Sequence, residues 1–90
     1  MSNLRALEVF LAVVDQGSFA AAGETIGLTQ SAISLQIKAL EQDFETVLFD
    51  RSKRPPILNA EGVLLAQKSR GLINQFNELK QSFIEHNYSG

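Results

Sequence analysis

The sequence predicts a mainly α-helical fold: a three-helix core, a two-stranded β-hairpin and one long final helix. Three observations carry that prediction. Helix-capping residues and glycines punctuate the first 45 positions at short intervals. Two β-prone runs flank a basic, proline-containing loop at 50–55. From Leu65 onward the apolar residues keep the spacing of a single helical seam.

The first helix is expected over residues 4–16. Leu4, Leu7, Leu11 and Val14 form one stripe, with Phe10 alongside. Asn3 precedes it as an N-cap, and Gly17 follows where a left-handed residue closes a helix without a Cβ penalty. Ser18 can cap the second helix, Phe19 to Ile26, which is rich in small residues. Gly23 costs that helix about 1 kcal/mol relative to alanine, so it is expected to mark a tight helix–helix crossing. Gly27-Leu28-Thr29 then makes a three-residue break, with Leu28 pointing inward and Thr29 capping the third helix. Two short helices joined by such a glycine-containing turn describe a helix-turn-helix.

The third helix runs from Gln30 to about Phe44, with Ile33, Ile37, Leu40 and Phe44 inward. The opposite face carries Gln30, Ser31, Ser34, Leu35 and Lys38. That face is small and polar, whereas a merely solvated face more often carries Glu and Lys, the better helix formers. Val47-Leu48-Phe49 and Pro56-Ile57-Leu58 read as the arms of a hairpin around Asp50-Arg51-Ser52-Lys53-Arg54-Pro55. A hairpin in this place is the wing of a winged helix-turn-helix. Asn59 caps the last helix, with Glu61 in its first turn; it is expected to reach about His86, roughly 40 Å at 1.5 Å per residue. Leu72, Phe76, Leu79 and Phe83, with Leu65 one heptad earlier, repeat as a coiled-coil seam. A domain of this size cannot cover so long a stripe, so a second copy of the helix is expected to. A polar tail, Asn87 to Gly90, ends the chain. The expected organisation is residues 1–58 as the winged unit and 59–90 as linker helix and tail.

Composition narrows the function. The chain has no cysteine and one histidine, so neither disulfides nor a zinc site is expected, and no cofactor is implied. No apolar run is long enough to span a bilayer, and no signal peptide opens the chain, which makes the cytoplasm the expected compartment. No nucleophile–histidine–acid set or glycine-rich phosphate loop supports an enzyme. The net charge of −2 counts against a nucleic-acid partner at first sight. Phosphates, however, respond to charge within roughly 8–10 Å, and three of the eight basic side chains lie within residues 51–54. Acidic residues gather elsewhere, at Glu41, Asp43, Glu45 and Asp50.

With these elements in place, the chain resembles the N-terminal domain of LysR-type transcriptional regulators. The matching residues are Phe10, Val14, Gly17-Ser18-Phe19, Ala22, Gln30-Ser31-Ala32-Ile33-Ser34, Gln36-Ile37, Leu40-Glu41, Leu48-Phe49, Arg51, Leu58 and Gly62. No single piece is specific; their ordered combination is. The resemblance implies a winged helix-turn-helix, a dimerising linker helix, and binding of double-stranded DNA at an interrupted inverted repeat in a promoter. It also implies a larger domain, beyond these residues, that binds a small-molecule effector. Four positions depart from the family pattern. Leu35 stands where an arginine is frequent, which removes a guanine contact and opens contact with a thymine methyl. Ala20 and Ala21 replace a polar residue and an arginine. Glu45 replaces a frequent glycine, so either it bears a strained positive φ or the third helix ends differently.

In a helix-turn-helix the recognition helix presents its N-terminal residues to base edges. Gln30 and Ser34 are the first candidates for base reading, with Ser31 and Leu35 beside them. Thr29 and Ser18 are caps that could also meet a phosphate. Lys38 faces either the DNA backbone or Glu41. Arg51, Lys53 and Arg54 are the phosphate candidates, Arg54 also for the minor groove, while Arg51 has an equal claim to a carboxylate of its own chain. Leu65, Leu72, Phe76, Leu79 and Phe83 are the expected homodimer interface. The rival reading is a helical protein-interaction module that uses the same seam and never touches DNA.

Overall fold

A computed structural model describes residues 3–89 of the chain. Its elements are α1 (Leu4–Gln16), α2 (Phe19–Ile26), α3 (Gln30–Asp43), β1 (Phe49–Asp50), β2 (Ile57–Leu58) and α4 (Ala60–Ser89). Every helix starts on the cap its sequence supplies. Asn3 accepts the Ala6 N–H and Ser18 the Ala21 N–H, both at 3.0 Å; Thr29 accepts that of Ala32 at 3.1 Å and Asn59 that of Gly62 at 2.8 Å. Each bond satisfies an amide that a helix start leaves open. Gly17 at φ 83° and Gly27 at φ 87° close α1 and α2 in the left-handed region.

α3 ends one residue before the expected limit, and the manner of its ending moves a side chain. Phe44 has left helical geometry at φ −93°, ψ 0°, and Glu45 follows at φ 52°. The Glu45 amide donates to the Gln42 carbonyl at 3.2 Å and the Thr46 amide to that of Glu41 at 3.0 Å. These are the paired bonds of a Schellman cap. Phe44 therefore turns away from the stripe of Ile33, Ile37 and Leu40 and is exposed, contrary to its expected core position.

The core is built from Leu7, Val9, Phe10, Leu11 and Val13 of α1, Phe19 and Ala22 of α2, and the α3 stripe. Leu48, Phe49 and Ala66 close it. α1 is buried over more than the predicted line, because it packs against α2, α3 and α4 together. Phe49 brings the hairpin into this core, its ring edge-on to Phe10 at 5.9 Å and Phe19 at 5.3 Å. Such pairs contribute roughly 0.5–1.5 kcal/mol beyond burial.

Gly23 is needed for a different reason from the one expected. A Cβ there would strike the Leu28 carbonyl oxygen, so the crowding comes from the turn after α2, not from a helix crossing. The Gly27 and Leu28 amides both donate to the Gly23 carbonyl, at 2.7 and 2.9 Å. Gly62 plays the equivalent part in α4: a Cβ would strike the Leu48 carbonyl oxygen and the Leu58 side chain. The first turn of α4 thus rests directly on the hairpin.

The hairpin is antiparallel and short, pairing Phe49 with Leu58 and Asp50 with Ile57. Val47, Leu48 and Pro56 fall outside the strands, while Asp50, expected in the loop, extends β1. Asn59 ties its base, donating through its backbone amide to Leu48 at 3.0 Å and through its side chain to Val47 at 2.8 Å. α4 buries only its first half. Leu65, Ala66, Ser69 and Ile73 face the core, while the rest projects into solvent and stretches the molecule to 54 × 25 × 22 Å. Asn87 to Ser89 continue the helix in place of the expected tail; Gly90 lies outside the described residues. Among the described residues no helix is long and apolar enough to cross a membrane.

Candidate nucleic-acid interface

The two faces of α3 divide structure from display. Ile33, Ile37 and Leu40 are wholly buried. On the other side Gln30, Ser31, Leu35 and Lys38 are exposed and Ser34 is half-buried, and the five line one shallow depression. The Thr29 hydroxyl is committed to its cap, which leaves the first turn of α3 facing outward with amide dipoles unopposed by any acidic residue. Lys38 is not drawn to Glu41 and makes no ion pair among the described residues.

Glu41 is occupied elsewhere. One of its oxygens accepts the Leu48 N–H at 2.8 Å, and both accept from Arg51, at 3.3 Å each. The Arg51 guanidinium also lies 5.9 Å from the centre of the Phe49 ring. Of the two readings of Arg51, the intrachain pair has its partner in place; the side chain nevertheless stays 46% exposed, against 12% for Glu41. The anchor Glu41 lies ten positions upstream, and no local sequence signal joins the two residues.

The wing beyond Arg51 is shaped by Asp50. Its carboxylate accepts from the Ser52 hydroxyl and, at 3.0 Å, from the Ser52 amide, and these bonds hold it below the usual carboxylate range. Lys53 and Arg54 are exposed and unpaired among the described residues. Arg51 and Arg54, with Pro55 and Pro56, line the wall of a groove of about 360 Å³ together with Gln30 and Ser34 of α3 and with Ser18, Phe19 and Ala20 at the start of α2. Capping residue, recognition-helix start and wing thus meet on a single surface. The place of the two prolines in that wall carries no sequence signal of its own.

The seam residues separate into two groups. Leu65 is half-buried against the chain's own core. Leu72, Phe76, Leu79 and Phe83 are 41–61% exposed, and Lys80 sits 5.0 Å from the Phe76 ring centre. Val63, Leu64 and Ile84, not part of the predicted seam, are exposed as well.

Residues 4–63 match the family model for bacterial regulatory helix-turn-helix proteins of the lysR family. Over 83 residues the chain is 38% identical to the HTH-type transcriptional regulator CzcR of Bacillus cereus, covering 92% of this chain and 29% of that one. Over 79 residues it is 39% identical to the regulator AceR of Acinetobacter baumannii, covering 88% and 27%. The chain therefore spans under a third of the length of these relatives. Among solved structures, the BenM DNA-binding domain in complex with its catB site 1 DNA superimposes with a TM-score of 0.85 at 30% identity, covering 89% of this chain and 86% of that one. The Vibrio fischeri regulator DarR in complex with DNA superimposes with a TM-score of 0.90 at 29% identity, over 100% of this chain and 31% of that one.

Proposed function

The chain belongs to the lysR family of bacterial regulatory helix-turn-helix proteins, and on that footing we propose that it binds double-stranded DNA sequence-specifically to regulate transcription. The binding species is a homodimer and the target an interrupted inverted repeat. One observation carries the reading: the polar outer face of α3 and the cationic wing share one surface, on a fold that superimposes on DNA-bound relatives.

α3 enters the major groove, which accepts a helix and displays a distinct donor–acceptor pattern for each base pair. Gln30 and Ser34 read base edges, with Ser31 and Leu35 beside them. Lys38, Lys53, Arg54 and the exposed side of Arg51 neutralise phosphates, and Arg54 also reaches the minor groove. Ser18 and Thr29 keep their caps and lend helix N-termini to nearby phosphates. Residues 1–58 are the DNA-binding unit. Residues 59–90 are the linker helix, which pairs with its copy through Leu72, Phe76, Leu79 and Phe83, with Leu65 at the edge. A small-molecule effector belongs to a separate domain of the kind that fills the rest of the relatives' length, and the cytoplasm is where such a regulator meets its promoter.

The test is selection from a random duplex pool, followed by salt titration of the enriched sequence. An interrupted inverted repeat is expected, with a log–log salt slope of roughly −5 to −7 for six to eight neutralised phosphates. The net charge of −2 favours one rival, a helical interaction module. A confirmed dimer that enriches no sequence selects that rival.

A further inference from the structure

Given DNA binding through α3, on which this assignment rests, we propose that Leu35 reads the C5-methyl group of a thymine in each half-site. Leu35 is 68% exposed, more than any other large apolar side chain among the described residues. A single exposed leucine on a helix is ordinary and by itself identifies nothing. Its neighbours make the difference. It lies about half a helical turn from Ile33 and Ile37, on the outer face that it shares with Gln30, Ser31, Ser34 and Lys38.

Ser31 and Ser34 are short, so the exposed leucine side chain extends beyond both of them. Lys38, one turn further along the same face, places a positive charge where a phosphate would pass. An isopropyl group accepts and donates no hydrogen bond. Against a guanine, adenine or cytosine edge it would strip water from polar atoms and return nothing. The C5-methyl of thymine is the apolar group that base pairs display in the major groove. Leu35 therefore favours thymine over cytosine at the position it meets, through a methyl contact that the polar residues beside it do not make.

Deoxyuridine removes that methyl and leaves the hydrogen-bonding edge unchanged, so it isolates the contact. In the duplex enriched from the random pool, thymines are replaced by deoxyuridine one symmetric pair at a time. Affinities are measured for the unaltered chain and for Leu35→Ala, which disturbs no buried contact. One symmetric position is expected to weaken the unaltered chain about fourfold per half-site, the scale of one buried methyl group. Leu35→Ala is expected to bind the thymine and deoxyuridine duplexes equally. If no position responds, or if Leu35→Ala responds as strongly as the unaltered chain, the assignment to Leu35 is overturned while DNA binding stands. If no duplex is enriched at all, the DNA-binding reading falls and the assignment with it.

Discussion

Glu45 holds the left-handed position that closes α3, at φ 52°, with the full hydrogen-bonding of a Schellman cap around it. An L-residue there crowds its own Cβ against backbone, at a cost of roughly 1–2 kcal/mol that glycine does not bear. Glycine also has more freedom to lose on folding, which offsets part of the gain. Glu45→Gly is therefore expected to stabilise the domain by about 1 kcal/mol and raise Tm by about 4–8 °C. A thermal melt showing no rise would mean the cap carries no strain. Gly62 has the opposite requirement. Its missing Cβ lets α4 rest on the Leu48 carbonyl, and a backbone atom cannot swing aside. Gly62→Ala is expected to destabilise by about 1–3 kcal/mol, the usual range for overpacking; a denaturant titration measures it. The glycine at 62 was legible in the sequence only as part of a resemblance, because the carbonyl it accommodates comes from a residue fourteen positions away.

Local chemistry made the helices readable and long-range pairing made the rest obscure. α1, α2 and the start of α3 could be placed from Asn3, Gly17, Ser18, Gly27 and Thr29 because each acts within four residues of its own position. Phe44 departs from the stripe because the apolar spacing runs on through a residue whose backbone has already left the helix. The tie of Arg51 to Glu41 and the groove beside Pro55 depend on how the hairpin folds back over α3, which no periodicity records. α4 is joined to α1 by another such tie. The Arg70 guanidinium forks onto Asp15, and hydrogen bonding from Arg70 lowers the Asp15 pKa. A carboxylate with a depressed folded pKa contributes stability above its unfolded pKa, about 3.9, and that contribution is lost as pH falls through the folded value. Both side chains are about half exposed, so the pair is worth at most about 1 kcal/mol. Arg70→Ala should lower Tm slightly at pH 7 and by less at about pH 3. An equal loss at both pH values would assign the effect to packing of the arginine stem.

The whole molecule presents an imbalance between its two ends. The winged unit buries a core around α1, whereas the outer half of α4 offers Leu72, Phe76, Leu79 and Phe83 to solvent over about 16 Å of helix. A chain with net charge −2 approaches DNA with little long-range attraction, so in the proposed binding mode its affinity would rest on the few cations of the wing and Lys38. One half-site offers too few of them, and a twofold pair of α4 helices would present two recognition helices to the two arms of an inverted repeat. Phe76→Asp separates these roles cleanly. Aspartate four residues before Lys80 forms a favourable helix pair, so α4 should persist by circular dichroism. The charge in the middle of the seam should nevertheless keep the chain monomeric by light scattering. Linkage of two half-site contacts multiplies affinity by about 10²–10⁴, so binding to the full repeat should fall by at least about 100-fold, to the level of an isolated half-site. A Phe76→Asp chain that remains dimeric and binds as before would place the dimer interface elsewhere. A chain that turns monomeric yet keeps its affinity would show that one winged unit suffices.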